Sequence, residues 1–282
     1  MIIAFRSAAS MLGRLLPATV CLLLGTSVLR AEDLVWKLAG GDVNGESRSA
    51  ADDFGETPWK FLRTTNSAGP ITTRIWSRDG KYAPLDQLSK RMFDVPLAGA
   101  IFQTKPTSKA PFVAGVQQSY TIDCTFNKGE VVLAPGPDHA VVLAWRSPFD
   151  GKLSMSGSFN NRQSCCGVNS QVNWYVERGP APNAKTGFKP TQLAKGISNL
   201  EVDRGVSRFK LDDLDVSEGD YFYFVVDAKA DGTRSPHHGD ATAFEVTIVV
   251  KDAKLPPPPT FEKDVAPILA AHCHECHGGE VQ

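Results

Sequence analysis

The sequence predicts a mainly β protein: an antiparallel β-sandwich of the jelly-roll kind, followed by a proline-rich linker and a short helical segment. Several stretches alternate apolar with small or polar residues, which is typical of strands with one buried face; they are residues 152–159, 172–177, 222–226 and 244–250. Residues 141–145 form a nearly continuous apolar run, as expected of a central strand. Many short strands without helices between them favour a sandwich.

Turns rich in Gly, Pro and Asp separate the predicted strands, at residues 135–138, 147–151, 218–220 and 230–232. One brief helix is predicted within the sandwich, in residues 85–92. We expect the sandwich to span residues 32–253, about 220 residues, which is enough to bury one good core or two small ones.

The first 31 residues read as a secretory signal peptide. Arg6 and Arg14 are basic, residues 15–29 are mostly apolar, and Ala31 suits the last position before cleavage. The alternative is an uncleaved N-terminal anchor. No other long apolar stretch is present, so we expect no transmembrane helix beyond this segment. Because of the signal peptide we expect an exported protein, periplasmic or extracellular.

The charge balance excludes two classes of partner. Cleavage after Ala31 would remove Arg6, Arg14 and Arg30 from the 30 basic residues, leaving 27 against 31 acidic residues. No Lys/Arg cluster stands out, which argues against nucleic acid and against an anionic membrane surface.

A C-x-x-C-H motif near the C-terminus points to covalent haem. Cys273 and Cys276 are spaced to add to the two vinyl groups of one haem, and His277 follows at once to reach the iron. A zinc site that also uses His272 and His274 is one alternative, although a second Cys or His pair at zinc-finger spacing is absent. A thioredoxin-like redox pair is another, but it needs a βαβ context that the sequence lacks.

The flank of this motif carries a family resemblance. Residues 261–278 read Phe-x-x-Asp-Val-x-Pro-Ile-Leu-x-x-x-Cys-x-x-Cys-His-Gly, and the apolar residues at 261, 265, 268 and 269 share one face of a helix. This stretch resembles the start of the planctomycete-type cytochrome c domain, which occurs in large secreted multidomain proteins. The resemblance implies that Cys273 and Cys276 carry the thioether bonds of haem c and that His277 is the proximal iron ligand.

The chain departs from that family after His277, because only residues 278–282 follow. A cytochrome fold needs tens more residues to cover the haem, and the four methionines all lie upstream. Residues 261–282 are therefore expected to be the incomplete, truncated start of an α-helical cytochrome c domain, and the chain the N-terminal part of a larger secreted protein. The first functional hypothesis is electron transfer through covalent haem, with an unknown redox partner.

The linker between the two parts is predicted at residues 254–260. It contains the four consecutive prolines of residues 256–259, which favour a stiff, extended polyproline II spacer. It marks a domain boundary.

A second, weaker resemblance concerns the sandwich. Residues 132–137, 142–151, 218–227 and 240–244 together resemble galactose-binding-like and carbohydrate-binding modules, in pattern more than in motif. The resemblance implies a glycan as a candidate partner. The alternative functional hypothesis is therefore a glycan-binding or assembly module in which the haem segment is incidental. Trp36, Trp59 and Trp76 could form sugar-stacking platforms, but positions in the core are the favoured interpretation.

One loop holds candidate metal ligands. Asp227, Asp231 and Asp240 lie near one another in sequence and could bind calcium, but solvated turn carboxylates are the favoured interpretation. His237 and His238 lie in the same loop; exposed polar residues are the favoured interpretation, and binding of a metal or of the distal side of a haem is the alternative.

Three cysteines remain once Cys21 of the signal peptide and the two cysteines of the haem motif are set aside, and they predict one disulfide. Cys124 is expected to pair with Cys165 or Cys166, because exported β domains commonly carry such bonds. No Ser/His/Asp order and no paired carboxylates suggest catalysis, so the sequence favours a binding or electron-transfer role over an enzyme.

Overall fold

The computed structural model describes residues 34–38, 59–65, 82–85, 87–89, 94–101, 110–122, 124–136, 139–162, 171–182, 188–228, 240–251 and 261–272. Sixteen strands lie within these ranges: β1 Leu34–Lys37, β2 Trp59–Thr64, β3 Tyr82–Pro84, β4 Gln87–Ser89, β5 Leu97–Ile101, β6 Phe112–Val116, β7 Tyr120–Thr121, β8 Thr125–Phe126, β9 Val131–Ala134, β10 Val141–Arg146, β11 Gly151–Asn161, β12 Gln171–Gly179, β13 Thr191–Asn199, β14 Val206–Val216, β15 Tyr221–Asp227 and β16 Thr242–Lys251.

The predicted antiparallel sandwich is confirmed. One sheet has the order β14-β11-β16-β9-β6-β5-β4, with β1 pairing to β16, and the other has the order β13-β12-β15-β10-β2-β3. A small hairpin joins β7 and β8. Strands β9 to β16 alone follow the order of two interlocked Greek keys, β9-β16-β11-β14 against β10-β15-β12-β13, which is the strand order of a jelly roll.

The main core fills the space between the two sheets. Every second side chain of β11, β12 and β16 points into it, because successive side chains of a strand face opposite sides. Aromatic rings dominate its centre: the rings of Phe159 and Trp174 stack with centroids 4.9 Å apart, and Phe244 lies 4.9 Å from Phe159. Each fully buried aromatic or large aliphatic side chain contributes about 1.5–3 kcal/mol to folding.

Two further clusters cover the outer faces of the sheets. The first lies on the eight-stranded sheet beneath the β7–β8 hairpin, where the rings of Tyr120 and Phe126 stack 5.5 Å apart. The second, which we call the tyrosine cluster, lies on the six-stranded sheet; it comprises Leu62, Tyr82, Ala140, Val142, Ala144, Phe188, Tyr221, Tyr223 and Val225.

These outer clusters correct one expectation about β15. Its alternating pattern predicts one buried and one half-exposed face, yet all seven residues of β15 are buried. Tyr82 and Phe188 lie over the outer face of this strand and pack edge-on against Tyr223, at centroid distances of 4.8 and 5.8 Å. The prediction for residues 141–145 is confirmed, since β10 lies between β15 and β2 and these five residues are buried.

The prediction of a helix in residues 85–92 is wrong for the residues that the structure describes there. Gln87–Ser89 forms β4 and pairs antiparallel with β5, and Leu85 is fully buried outside any helix. Pairing with a neighbouring strand here outweighs the weak local helix propensity.

The segment after the sandwich is helical. A π-helical turn, Phe261–Val265, leads into α1, Ala266–His272. Within the described ranges no helix is long and apolar enough to cross a membrane. The predicted linker and signal peptide lie outside the described residues, so the domain boundaries stay predictions.

Candidate functional site

Three polar side chains are buried at the end of the sandwich where β11 and β15 finish and β16 begins. Asp227 is the last residue of β15, Asp240 lies two residues before β16, and Asn161 is the last residue of β11. The strand register sets Asn161 opposite Thr242, whose hydroxyl donates to the backbone carbonyl of Asp240 at 3.0 Å. We call this group of Asp227, Asp240 and Asn161 the acidic end.

Burial at the acidic end is nearly complete. Asp227 is 6% exposed, Asp240 is 1% exposed and Asn161 is fully buried. Within the described part of the chain, no hydrogen-bond partner reaches either carboxylate oxygen of Asp240 or either amide atom of Asn161. The interpretation of these aspartates as solvated turn residues is therefore wrong for Asp227 and Asp240.

The electrostatics of the acidic end follow from that burial. Loss of solvent, together with the neighbouring Asp227 carboxylate, raises the pKa of Asp240 to about 8. Both causes oppose the ionised form, because a buried charge lacks water and a second negative charge repels it. Asp231, His237 and His238 lie outside the described residues, and no group of three or more His, Cys, Asp or Glu side chains suited to a metal occurs within the described ones.

A tight turn fixes the position of Asn161. Its backbone N–H donates to the hydroxyl of Ser198 at 2.9 Å, and that hydroxyl donates in turn to the carbonyl of Gly205. Gly205 has a φ of +76°, and a Cβ there would lie 1.8 Å from the carbonyl oxygen of Asn161. Only glycine fits this close approach.

A surface cleft of about 470 Å³ lies on the six-stranded sheet, where β12 finishes and β15 begins. This is the end of β15 opposite to Asp227. Its lining is Arg178, Gly179, Pro180, Lys189, Thr191, Leu193 and Asp220. We call it the Arg178 cleft.

The Arg178 guanidinium is held in place on three sides. It forms a salt bridge to Asp220 at 2.5 Å, donates to the backbone carbonyl of Asp215 at 2.8 Å and lies 5.9 Å from the ring centroid of Phe222. The Asp220 carboxylate also accepts from the backbone N–H of Ser217 at 2.8 Å. Lys189 and Thr191 are exposed at the margin of the cleft.

The tyrosine cluster lies beside the cleft and is closed to solvent. Tyr82 donates its hydroxyl to the buried carboxylate of Glu177 at 2.7 Å, and Tyr223 donates to the carbonyl of Pro180. Burial raises the pKa of Tyr223 far above its usual range, and Tyr221 and Glu177 nearby raise it further.

The tryptophans within the described ranges lie in or against the main core, which is the position that the sequence favoured over sugar-stacking platforms. Trp59 is buried in the main core, and Trp36 packs against that core with its ring 5.6 Å from Trp145. Trp76 lies outside the described residues.

The haem-attachment residues Cys273, Cys276 and His277 also lie outside the described residues, so their assignment stays a prediction. The helical segment before them is described, and its apolar side chains are solvent-exposed: Phe261, Val265, Ile268 and Leu269 are between 40% and 61% exposed. Cys124 is half-buried against the cluster under the β7–β8 hairpin. Its predicted partners Cys165 and Cys166 lie outside the described residues.

Sequence reasoning missed the Arg178 cleft and the role of Asn161. Residues 218–220 were interpretable only as a turn, although the carboxylate of Asp220 fixes Arg178. The pairing of Asn161 with Thr242 brings Asn161 to the acidic end, and no local sequence pattern predicts this pairing.

No family model matches the chain, and no curated protein matches it. Among solved structures, the chain is similar to the CBM36-1 domain of a multidomain xylanase from the hindgut metagenome of Trinervitermes trinervoides, with 10% identity, a TM-score of 0.26, and coverage of 48% of this chain and 86% of that chain. It is similar to TmCBM27, a carbohydrate-binding module that recognises mannan, with 12% identity, a TM-score of 0.26, and coverage of 43% and 74%.

A third similar structure is the enzymatically active domain of bacteriophage CBA120 tailspike protein 4, with 9% identity, a TM-score of 0.29, and coverage of 75% of this chain and 21% of that chain. At these TM-scores the likenesses assign neither a family nor a function to this chain.

Proposed function

We propose that the β-sandwich is a binding module for extracellular glycans and that the Arg178 cleft is its binding site. The observation that carries the proposal is the lining of this cleft, which sets fixed polar groups beside small apolar surfaces. Its volume of about 470 Å³ falls in the range of about 300–1,000 Å³ that is typical of small-ligand sites.

The chemistry of the lining suits a sugar. The Asp220 carboxylate accepts hydrogen bonds, whereas Lys189 and Thr191 donate them. The apolar surfaces of Pro180 and Leu193 match the C–H faces of a pyranose ring. The salt bridge that fixes Arg178 reduces the entropy lost on binding, because the side chain is already ordered. The sequence resemblance to carbohydrate-binding modules points to the same class of ligand.

A glycan array on the full chain tests this proposal. Lys189→Ala and Thr191→Ala should each weaken binding to the glycan found by about 5- to 10-fold, which corresponds to the loss of about 1 kcal/mol from one hydrogen bond. Lys195→Ala is the matched control, since Lys195 is exposed on β13, the strand that Thr191 begins, but lies outside the cleft. If no array glycan binds, or if all three variants bind equally, the proposal is wrong.

We also propose that the C-terminal segment attaches haem c through Cys273 and Cys276, with His277 on the iron. The specific observation in its favour is the C-x-x-C-H motif directly after α1, a helix whose apolar side chains are exposed and could contact a hydrophobic macrocycle. When bound, the haem would supply one-electron chemistry.

Haem staining of denatured protein tests the second proposal, after production with a c-type maturation system that acts outside the cytoplasm. The chain should stain, and the double variant Cys273→Ser/Cys276→Ser should not. Cys124→Ser, which replaces a cysteine of the sandwich, should stain as the parent does. Equal staining of the parent and the double variant would contradict covalent attachment at these positions.

A further inference from the structure

We propose that the acidic end is a divalent-cation site of the Ca²⁺ class, with Asp227, Asp240 and Asn161 as ligands. The site is separate from the Arg178 cleft, which lies at the other end of the sheet, and the proposal does not depend on glycan binding or haem.

Asp240 is a buried carboxylate without a described donor. Its side chain is 1% exposed, and among the described residues no donor reaches either carboxylate oxygen. Buried carboxylates with a purely structural role are normally surrounded by hydrogen-bond donors, because an unpaired buried charge is strongly unfavourable. The missing partner of this carboxylate must therefore be something other than a described donor.

Asp227 and Asn161 accompany Asp240 at this end of the sandwich. The Asp227 carboxylate interacts with it electrostatically, and the amide oxygen of Asn161, fully buried and without a described partner, lies on the strand that pairs with β16. Protonation of Asp240 alone would not satisfy the buried amide of Asn161. A divalent cation would neutralise both carboxylates and bind the amide oxygen as well.

The ligand atoms indicate which cation. All three side chains offer oxygen, with two carboxylates and one amide, and hard cations prefer this set. Ca²⁺ accepts irregular arrangements of six to eight oxygens, whereas Mg²⁺ requires nearly ideal octahedral geometry. Zn²⁺ favours nitrogen and sulfur ligands, which these three residues do not provide. The bound ion would join the end of β15 to the start of β16.

The decisive experiment measures thermal unfolding of the full chain after removal of metals by a chelator. Adding Ca²⁺ to about a hundred times its Kd should raise the unfolding midpoint by about 5–10 °C, and Mg²⁺ should have a smaller effect. Asp240→Asn, which keeps the shape of the side chain, should abolish this shift. Asp212→Asn is the control, because Asp212 is exposed on β14 and should leave the shift intact.

Equilibrium dialysis of the parent chain supplies a measurement that does not depend on the folding of any variant. The parent chain should retain about one Ca²⁺, as expected of a single site, with a dissociation constant in the micromolar to millimolar range. If the parent binds no Ca²⁺, or if Asp240→Asn binds as much as the parent, the proposal is overturned. The proposal is also overturned if Ca²⁺ leaves the midpoint of thermal unfolding unchanged while that midpoint rises steadily as the pH falls from 8 to 5. That result would show that a proton is bound at the acidic end instead of a cation.

Discussion

At the scale of single residues, two glycines with left-handed backbone differ only in what surrounds them. Gly205 has a φ of +76° and lies against the carbonyl of Asn161, whereas Gly129 has a φ of +87° with nothing within 4 Å of where a Cβ would stand. The pair therefore separates backbone strain from steric exclusion.

Gly205→Ala should lower the free energy of unfolding by about 2–4 kcal/mol, because the new methyl group would displace the end of β11. Gly129→Ala should cost only about 1–2 kcal/mol, the penalty of a left-handed conformation for a residue with a Cβ. Urea unfolding of both variants measures the difference. Equal losses would show that the turn at Gly205 relaxes without cost.

Tyr223 should make the sandwich sensitive to alkali. Burial raises the pKa of Tyr223 above the value of about 10 that a tyrosine has in the unfolded chain. Below about pH 10 the phenol is protonated in both states and contributes no pH dependence. As the pH rises further, only the unfolded state ionises, so the free energy of unfolding falls.

Urea unfolding between neutral pH and about pH 11 checks this, and Tyr223→Phe should show a shallower loss of stability over the alkaline range. An identical slope for the variant would exclude Tyr223 as the cause.

At the scale of elements, the hydrogen bond that joins β3 to β12 crosses the tyrosine cluster. Tyr82→Phe removes the hydroxyl that donates to the buried carboxylate of Glu177. Loss of a hydrogen bond to a buried charged group costs about 1.5–3 kcal/mol, so the free energy of unfolding should fall by that amount. In the Glu177→Gln background the same substitution should cost less, because the acceptor is then uncharged. A double-mutant cycle by urea unfolding that shows no coupling would contradict the interaction.

The elements also show what local sequence can and cannot predict. The strands β10, β11, β12, β15 and β16 were predictable because period-two alternation or a continuous apolar run marks a strand directly. The double-sided burial of β15 was not, since it depends on Tyr82 and Phe188, which are distant in sequence. In the same way, proximity in sequence drew attention to Asp227 and Asp240, but their burial depends on how the strand ends pack.

At the scale of the whole molecule, the strands and the C-terminal helix bury very different amounts of surface. The three apolar clusters are built from residues that precede 252, whereas Ile268 in α1 is 60% exposed. A helix of this length is marginal in water without a packing partner. The sandwich should therefore fold without the residues that follow it.

Truncation after residue 253 tests this expectation. The midpoint of thermal unfolding should match that of the full chain, because no cluster loses a member. Ile268→Asp in the full chain should also leave the unfolding midpoint unchanged. The matched core substitution Ile248→Asp should prevent folding, since Ile248 is fully buried between the sheets. If truncation shifts the midpoint by several degrees, the helical segment packs on the sandwich, and the two parts behave as one cooperative unit rather than as a binding module joined to a separate attachment segment.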